Sequence, residues 1–461
     1  MKVNSSIIFK IPLRFFGYLR KKRLTLTAAV ELPLRAELFG SDQMKQHGKT
    51  LANSHELSPK RLQDKLLSRL ADNETILIDV CRPLTEAIVT NRLIAPAEEW
   101  LLDNFYLIEE QIRTAKRHLP KGYSRELPRL LNGPSAGLPR VYDIALETIS
   151  HGDGRVDPEG LSSFVAAYQS ITVLKLGELW AIPIMLRLAL IENLRRIAAR
   201  LAVDRINRDQ ADHWADWMIK TAAEDPNGLI MVIADMARSD PPMVGPFVAE
   251  LARRLQGQGP ALALPLTWIE QRLSGAGLTI ERMVRLETRQ QAADQVSMSN
   301  SIGSLRFLSA MNWREFVETM SVVEQRLGED PADVYSRMDF TTRDCYRHVV
   351  ENIARNGSRS EIEVAGQAIE LSRKAAAGKG EEDRAAHVGF YLIDKGLPEL
   401  EQMAGLHFSP VRMLHKVFRI FPLPVYGGSI IFLTVISAAY FTTTACTDGL
   451  QGGMLWLAGL L

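Results

Sequence analysis

The segment richest in chemistry runs from Tyr335 to Glu351, YSRMDFTTRDCYRHVVE. With Thr341 or Thr342 capping a helix, Arg343, Arg347 and Glu351 fall on one stripe at spacings of four, Asp339 stands just before the helix, and Asp344 lies in its first turn. Two arginines and three carboxylates so disposed can clamp a phosphate or a sugar. They can equally tie two helices together through ion pairs, and that second use is the one expected. A third use, with Asp339, Asp344 and Glu351 as acid and base on a glycan, needs an open cleft with carboxylates roughly 5 to 10 Å apart.

Other short signals lack the context their chemistry requires. Gly48-Lys49-Thr50 ends like a phosphate loop, but position 43, where the first glycine belongs, is Gln43. Gly133, Ser135 and Gly137 spell a nucleophile elbow, yet Pro128 and the helical pattern upstream offer no strand to lead into it, so a plain loop is expected. The stretch from His151 to Asp157 is half a calcium loop without the alternating oxygen ligands or the closing glutamate. Asp157 instead reads as a helix cap, followed by Pro158 at the first helical position and Glu159 at the positive helix end. The nine histidines are scattered. None forms an HExxH or HxxxH pair, so the sequence argues for no metal site.

The elements that must position these residues are helices. From Ala95 to His118, Trp100, Leu101, Phe105, Ile108 and Ile112 recur at threes and fours, opposite Glu109, Glu110, Arg113 and Lys116. The stretch from Leu161 to Arg200 reads as strongly helical, and its apolar piece Leu179–Leu186 as a core helix kinked at Pro183. From His213 to Leu327 the same period recurs, broken at Pro226, Pro241-Pro242, Gly257 to Pro260 and Gly275 to Gly277. Asp330-Pro331 reads as the start of another helix, and Ser360 to Lys374 and Ala385 to Ile393 as two more. The fold class expected is all-α, an irregular multi-helix region followed by a C-terminal transmembrane helix and a second apolar segment.

Composition sets the outer bounds. With 461 residues, 55 Lys and Arg against 54 Asp and Glu, and a net charge of +1, nothing argues for a nucleic-acid partner. Cys81, Cys345 and Cys446 lie far apart without a CxxC, so neither a disulfide framework nor a zinc knuckle is indicated. Residues 1–31 form a basic leader, in which Lys10 and Arg14 interrupt any signal-peptide core. Residues 32–419 form the helical region. Residues 420–447 carry no charge and, at ~1.5 Å per residue, are long enough to cross a ~30 Å hydrocarbon layer. Arg412, His415, Lys416 and Arg419 precede this segment and only Asp448 follows it, which by the positive-inside rule places the helical region in the cytoplasm and makes the lipid bilayer a partner. Residues 448–461 are again apolar but too short to span. A chain that stops within such a run reads as part of a longer protein.

Four long strings then carry a family resemblance: LLDNFYLIEEQI (Leu101 to Ile112), LPKGYSRELPRL (Leu119 to Leu130), GELWAIPIMLRLALIENLRR (Gly177 to Arg196) and YSRMDFTTRDCYRHVVE. They resemble the N-terminal part of the bacterial cyclic β-1,2-glucan synthases. The resemblance implies an inner-membrane enzyme several times longer than this chain, which polymerises glucose from UDP-glucose on a protein-linked primer and cyclises the product. It also implies glycosyltransferase domains as partners, with a divalent metal holding UDP-glucose in those domains and no cofactor in this chain. The sequence contains neither DxD nor QxxRW, and Gly328-Glu329-Asp330 resembles the family's base motif only superficially, inside the helical region. No catalytic residue is carried over. The expected role is a scaffold for catalytic domains, with a stand-alone membrane-anchored interaction protein as the alternative.

Overall fold

The computed structural model describes residues 31–59, 65–89, 94–119, 124, 126–406 and 422–447. The basic leader up to residue 30, the flanking Arg412, His415, Lys416 and Arg419, and the segment 448–461 lie outside the described residues. Among the described residues there is no strand, only two isolated bridges, Leu57 with Leu130 and Arg129 with Pro139. The all-helical expectation holds. The chain divides into two compact units, Met1–Val322 and Val323–Leu461.

The described helices of the first unit are α1 (Ser41–Ser54), α2 (Leu66–Val89), α3 (Pro96–Asp103), α4 (Phe105–His118), α5 (Arg140–His151), α6 (Pro158–Gln169), α7 (Leu176–Glu224), α8 (Leu229–Ser239), α9 (Gly245–Leu255), α10 (Ala263–Ser274), α11 (Ile280–Ala310) and α12 (Trp313–Met320). The unit is built on α7, whose 49 residues give it a length of ~74 Å. At its start the Glu178 carboxylate accepts from the Lys175 amide at 2.9 Å. The helix continues through Pro183. Its first half is buried on nearly every side and lies in a core with α2, α5 and the C-terminal half of α11, where Leu186, Leu190, Leu194 and Ile197 are buried. Its second half brings Trp214 and Met218 to a separate core with α8, α9 and α10.

The helix boundaries show where sequence period misleads. The expected single helix from Ala95 to His118 breaks at Asn104, which leaves helical geometry (φ −110°, ψ 10°) and is buried, its amide donating to the Trp100 carbonyl at 2.9 Å. The stretch from Leu161 to Arg200 is likewise two helices, α6 and α7. Asp157 does cap α6, accepting from the Gly160 amide at 2.7 Å. Gly48 belongs to no phosphate loop. It sits inside α1 where that helix presses on α6, and a Cβ there would come within 2.9 Å of the Phe164 carbonyl.

The second unit takes in α13 (Val322–Leu327, which begins one residue before it), α14 (Phe340–Asn356), α15 (Glu361–Lys379), α16 (Gly389–Ile393) and α17 (Leu397–Met403). They close over Tyr335, Val350, Ala365, Ile369 and Leu392. The helix expected at Asp330-Pro331 is only a 3-10 turn, Tyr335–Arg337. The Asp330 carboxylate takes the amides of Val334 and Tyr335, and Asp333 turns left-handed with φ 48°.

The uncharged C-terminal stretch is one helix, α18 (Pro422–Thr447). Ile430, Ile431, Phe432, Leu433, Val435, Ile436, Tyr440 and Phe441 are all exposed. Among the described residues, however, no helix is long and apolar enough to cross a membrane. The transmembrane span expected over 420–447 is therefore not established.

Candidate functional site

The chemistry-rich segment opens α14. Its cap is Asp339, two residues before the earlier of the two threonines expected, accepting from the Thr342 hydroxyl at 2.6 Å and the Thr342 amide at 3.2 Å. Those hydrogen bonds, the hydroxyl's first, hold the Asp339 carboxyl below the usual carboxylate range. One turn on, Arg343 and Arg347 both reach Glu324 of α13, at 3.5 and 2.7 Å. Asp344 flanks Arg347 at 3.1 Å, and the Tyr335 hydroxyl donates to Glu324 at 2.6 Å. Burial, then the bond to Glu324, pushes the Tyr335 phenol pKa upward. The Arg347 guanidinium is fully buried and lies 5.0 Å over the Phe340 ring.

Of the five residues singled out by the sequence, the structure brings Arg343 and Arg347 to Glu324 and sets Asp344 against Arg347. Asp339 is engaged as a cap. Glu351 reaches His348 at 3.2 Å, and His348 in turn lies 3.4 Å from Asp344. The residue missed is Glu324, some twenty positions upstream in a short helix with no motif, and no spacing rule links it to α14.

Beside this cluster Asp330 collects four donors: His387 Nδ1 at 2.7 Å and the amides of Val388, Tyr335 and Val334 at 2.9, 3.2 and 3.3 Å. Burial opposes its ionisation, but the His387 and Val388 bonds outweigh burial and keep the carboxyl below its ordinary range. With Nδ1 donating to Asp330, His387 turns Nε2 to the Tyr346 hydroxyl at 3.3 Å. Burial raises the Tyr346 phenol pKa, which disfavours a phenolate there. The chain from carboxylate to imidazole to phenol fastens the loop after α13 to α14 and to the turn before α16.

In the first unit the most charged buried point is Glu192 on α7. It accepts from Arg69, from Arg196 at 2.6 Å and from the Tyr142 hydroxyl at 2.8 Å. Burial opposes its ionisation, yet the two arginines, Arg69 foremost, bring its pKa down to about 2. Glu192 and Arg195 are buried on this core helix, and Arg196 keeps only 17% of its side chain exposed.

A further cluster joins α1 to α5. His47 Nε2 lies 2.8 Å from Glu147 Oε2, and His151 Nε2 lies 3.3 Å from the same oxygen. The three candidate ligand atoms all fall within 4.8 Å of one another. His151 Nδ1 is 2.7 Å from the Glu37 carbonyl, and Phe39 stacks on the His151 ring at 3.8 Å. The signal available in the sequence was the pair Glu147 and His151, four apart on one helix face. No motif announces the partner His47.

No family model matches the chain. The curated Cyclic beta-(1,2)-glucan synthase NdvB of Rhizobium meliloti (strain 1021) is 31% identical over 411 residues, which is 88% of this chain. The chain is a relative of the cyclic β-1,2-glucan synthases. It spans 14% of the length of the curated relative it matches, and the match fits a relative of the synthases' N-terminal region. A match of that extent is longer than either compact unit, so the likeness to the glucan synthase takes in parts of both.

Proposed function

We propose that this chain is the N-terminal cytoplasmic and membrane portion of a cyclic β-1,2-glucan synthase, acting as a helical scaffold for catalytic domains that bind UDP-glucose and a divalent metal. The observation that carries the reading is the 31% identity to a glucan synthase across 88% of the chain. The all-helical fold and the missing DxD and QxxRW signatures support a structural role within that enzyme. The candidate cluster supports it too. Arg347, the cation best placed to hold a phosphate, is fully buried against Glu324, and Asp339, a candidate acid, is held ionised at a helix cap.

The anchor in this reading is α18, seated in the bacterial inner membrane with the helical region on the cytoplasmic side. Its described large apolar side chains, from Tyr426 to Phe441, are exposed. Thr434 and Thr444 return their hydroxyls to the carbonyls of Ile430 and Tyr440 at 2.8 Å, which lowers the cost of placing them in lipid.

Two measurements test the proposal. Membranes bearing only this chain, incubated with labelled UDP-glucose, should form no glucan, and any labelled glucan would overturn the scaffold role. Alkaline carbonate washing should leave the chain with the vesicles. Release into the wash would remove the anchor.

A further inference from the structure

We propose that His47, Glu147 and His151 form a binding site for a divalent transition metal of the zinc class. The inference begins with a proton count. His151 Nδ1 faces the Glu37 main-chain carbonyl at 2.7 Å, a group that only accepts, so Nδ1 carries a hydrogen. In the neutral ring the lone pair then sits on Nε2, and Nε2 points at the Glu147 carboxylate 3.3 Å away. Two lone-pair donors so placed are able to share a metal ion. His47 brings a third donor atom to the same carboxylate oxygen from the opposite helix, at 2.8 Å.

The donor set and its support match a zinc-class ion. Two imidazole nitrogens and a carboxylate are ligands zinc accepts, and three protein ligands leave one position for water. Bond lengths of about 2.0 to 2.2 Å in a tetrahedron separate ligand atoms by roughly 3.3 Å. The separation from Glu147 to His151 already has that value, and the one from Glu147 to His47 needs to open by about half an ångström. The carbonyl of Glu37 supplies the outer-shell hydrogen bond that fixes the tautomer and plane of a ligating histidine. Phe39 stacks on the His151 ring and Phe164 lies parallel to the His47 ring. The close approach of α1 to α6 at Gly48, next in sequence to His47, sets the height of that ligand. The side chains of His47 and Glu147 are partly exposed, which gives an ion a path from solvent.

Isothermal titration of the full chain with zinc chloride tests the proposal, with metal content measured after dialysis. One equivalent is expected to bind. Glu147→Gln, His47→Ala and His151→Ala should each weaken binding at least 100-fold, while His118→Ala, on an exposed helix end, should leave it unchanged. Cobalt in place of zinc should give the intense visible bands of a four-coordinate site, lost in the same three variants. Circular dichroism identifies any variant that fails to fold, and those that fold decide the matter. Binding below a tenth of an equivalent would overturn the proposal. Binding that survives in the folded variants would place the metal elsewhere and overturn it as well.

Discussion

Each compact unit gathers arginine, glutamate and tyrosine side chains into one cluster, with the parts reversed. In the first unit the centre is an anion: Glu192 is 0% exposed and collects Arg69, Arg196 and Tyr142, while Arg69 keeps 36% of its side chain in water. In the second the centre is a cation: Arg347 is 0% exposed and collects Glu324 and Asp344, with Tyr335 donating to Glu324. A carboxylate at the centre can be neutralised by acid, whereas a guanidinium stays charged at any pH a protein survives. The same three residue types therefore give one cluster whose centre titrates and one whose centre does not.

The largest effect expected is from Glu192→Gln, which removes the centre of the first cluster and leaves its arginines facing one another. A loss of about 3 kcal/mol in urea denaturation is expected, the order implied by a carboxyl pKa lowered from 4.5 to about 2. The sign follows from linkage. A folded-state pKa below the unfolded one gives stability that is complete above pH 4.5 and lost as pH falls through about 2, so the variant should lack that acid limb. A variant with the full acid dependence of the parent would remove the contrast between the two centres.

Arg347→Met comes next, at about 2 kcal/mol. An apolar side chain of similar length fills the space, and the carboxylates left behind, 13% and 25% exposed, can take water. A larger loss than for Glu192→Gln would reverse the ranking of the two centres.

Asp204, also on α7, sharpens the comparison because it is a half-buried anion without a dominant cation. Burial, then the charge of Glu287, raises its pKa to about 6. A carboxyl raised in the folded state contributes stability present below its unfolded pKa of 3.8 and lost as pH rises through about 6. Asp204→Asn should therefore stabilise the chain by about 1 to 2 kcal/mol at pH 7 and by nothing near pH 3, as thermal melts at the two pH values will show. The smallest effect is a control outside both clusters. Ser360 caps α15 in a reciprocal pair with Glu363, and Ser360→Ala should cost about 1 kcal/mol by denaturation.

Helix type was legible in the sequence wherever one apolar face recurred over several turns, as in α4, α11 and α15, because burial of that face is what makes such a helix stable. Boundaries were less so. The break at Asn104 depends on a buried amide folding back on the Trp100 carbonyl, which leaves no trace in the period of three and four. The site was legible only in part. The spacing of Arg343 and Arg347 showed that they share a face, but their partner Glu324 comes from another helix, and one chain alone does not encode which helices meet. The same limit hid His47 from Glu147 and His151. Local spacing also cannot distinguish a charge in water from one in a core, and Glu192 is a case of the second.

The length of α7 has a mechanical consequence. Its first half is fixed in one core and its second half in another, with unbroken helical hydrogen bonding between them. A turn of the rod at one end must be felt at the other, since a helix twists far less readily than a loop bends. Neither core can dissolve without exposing the shared shaft, so the first unit should melt once and not in two stages.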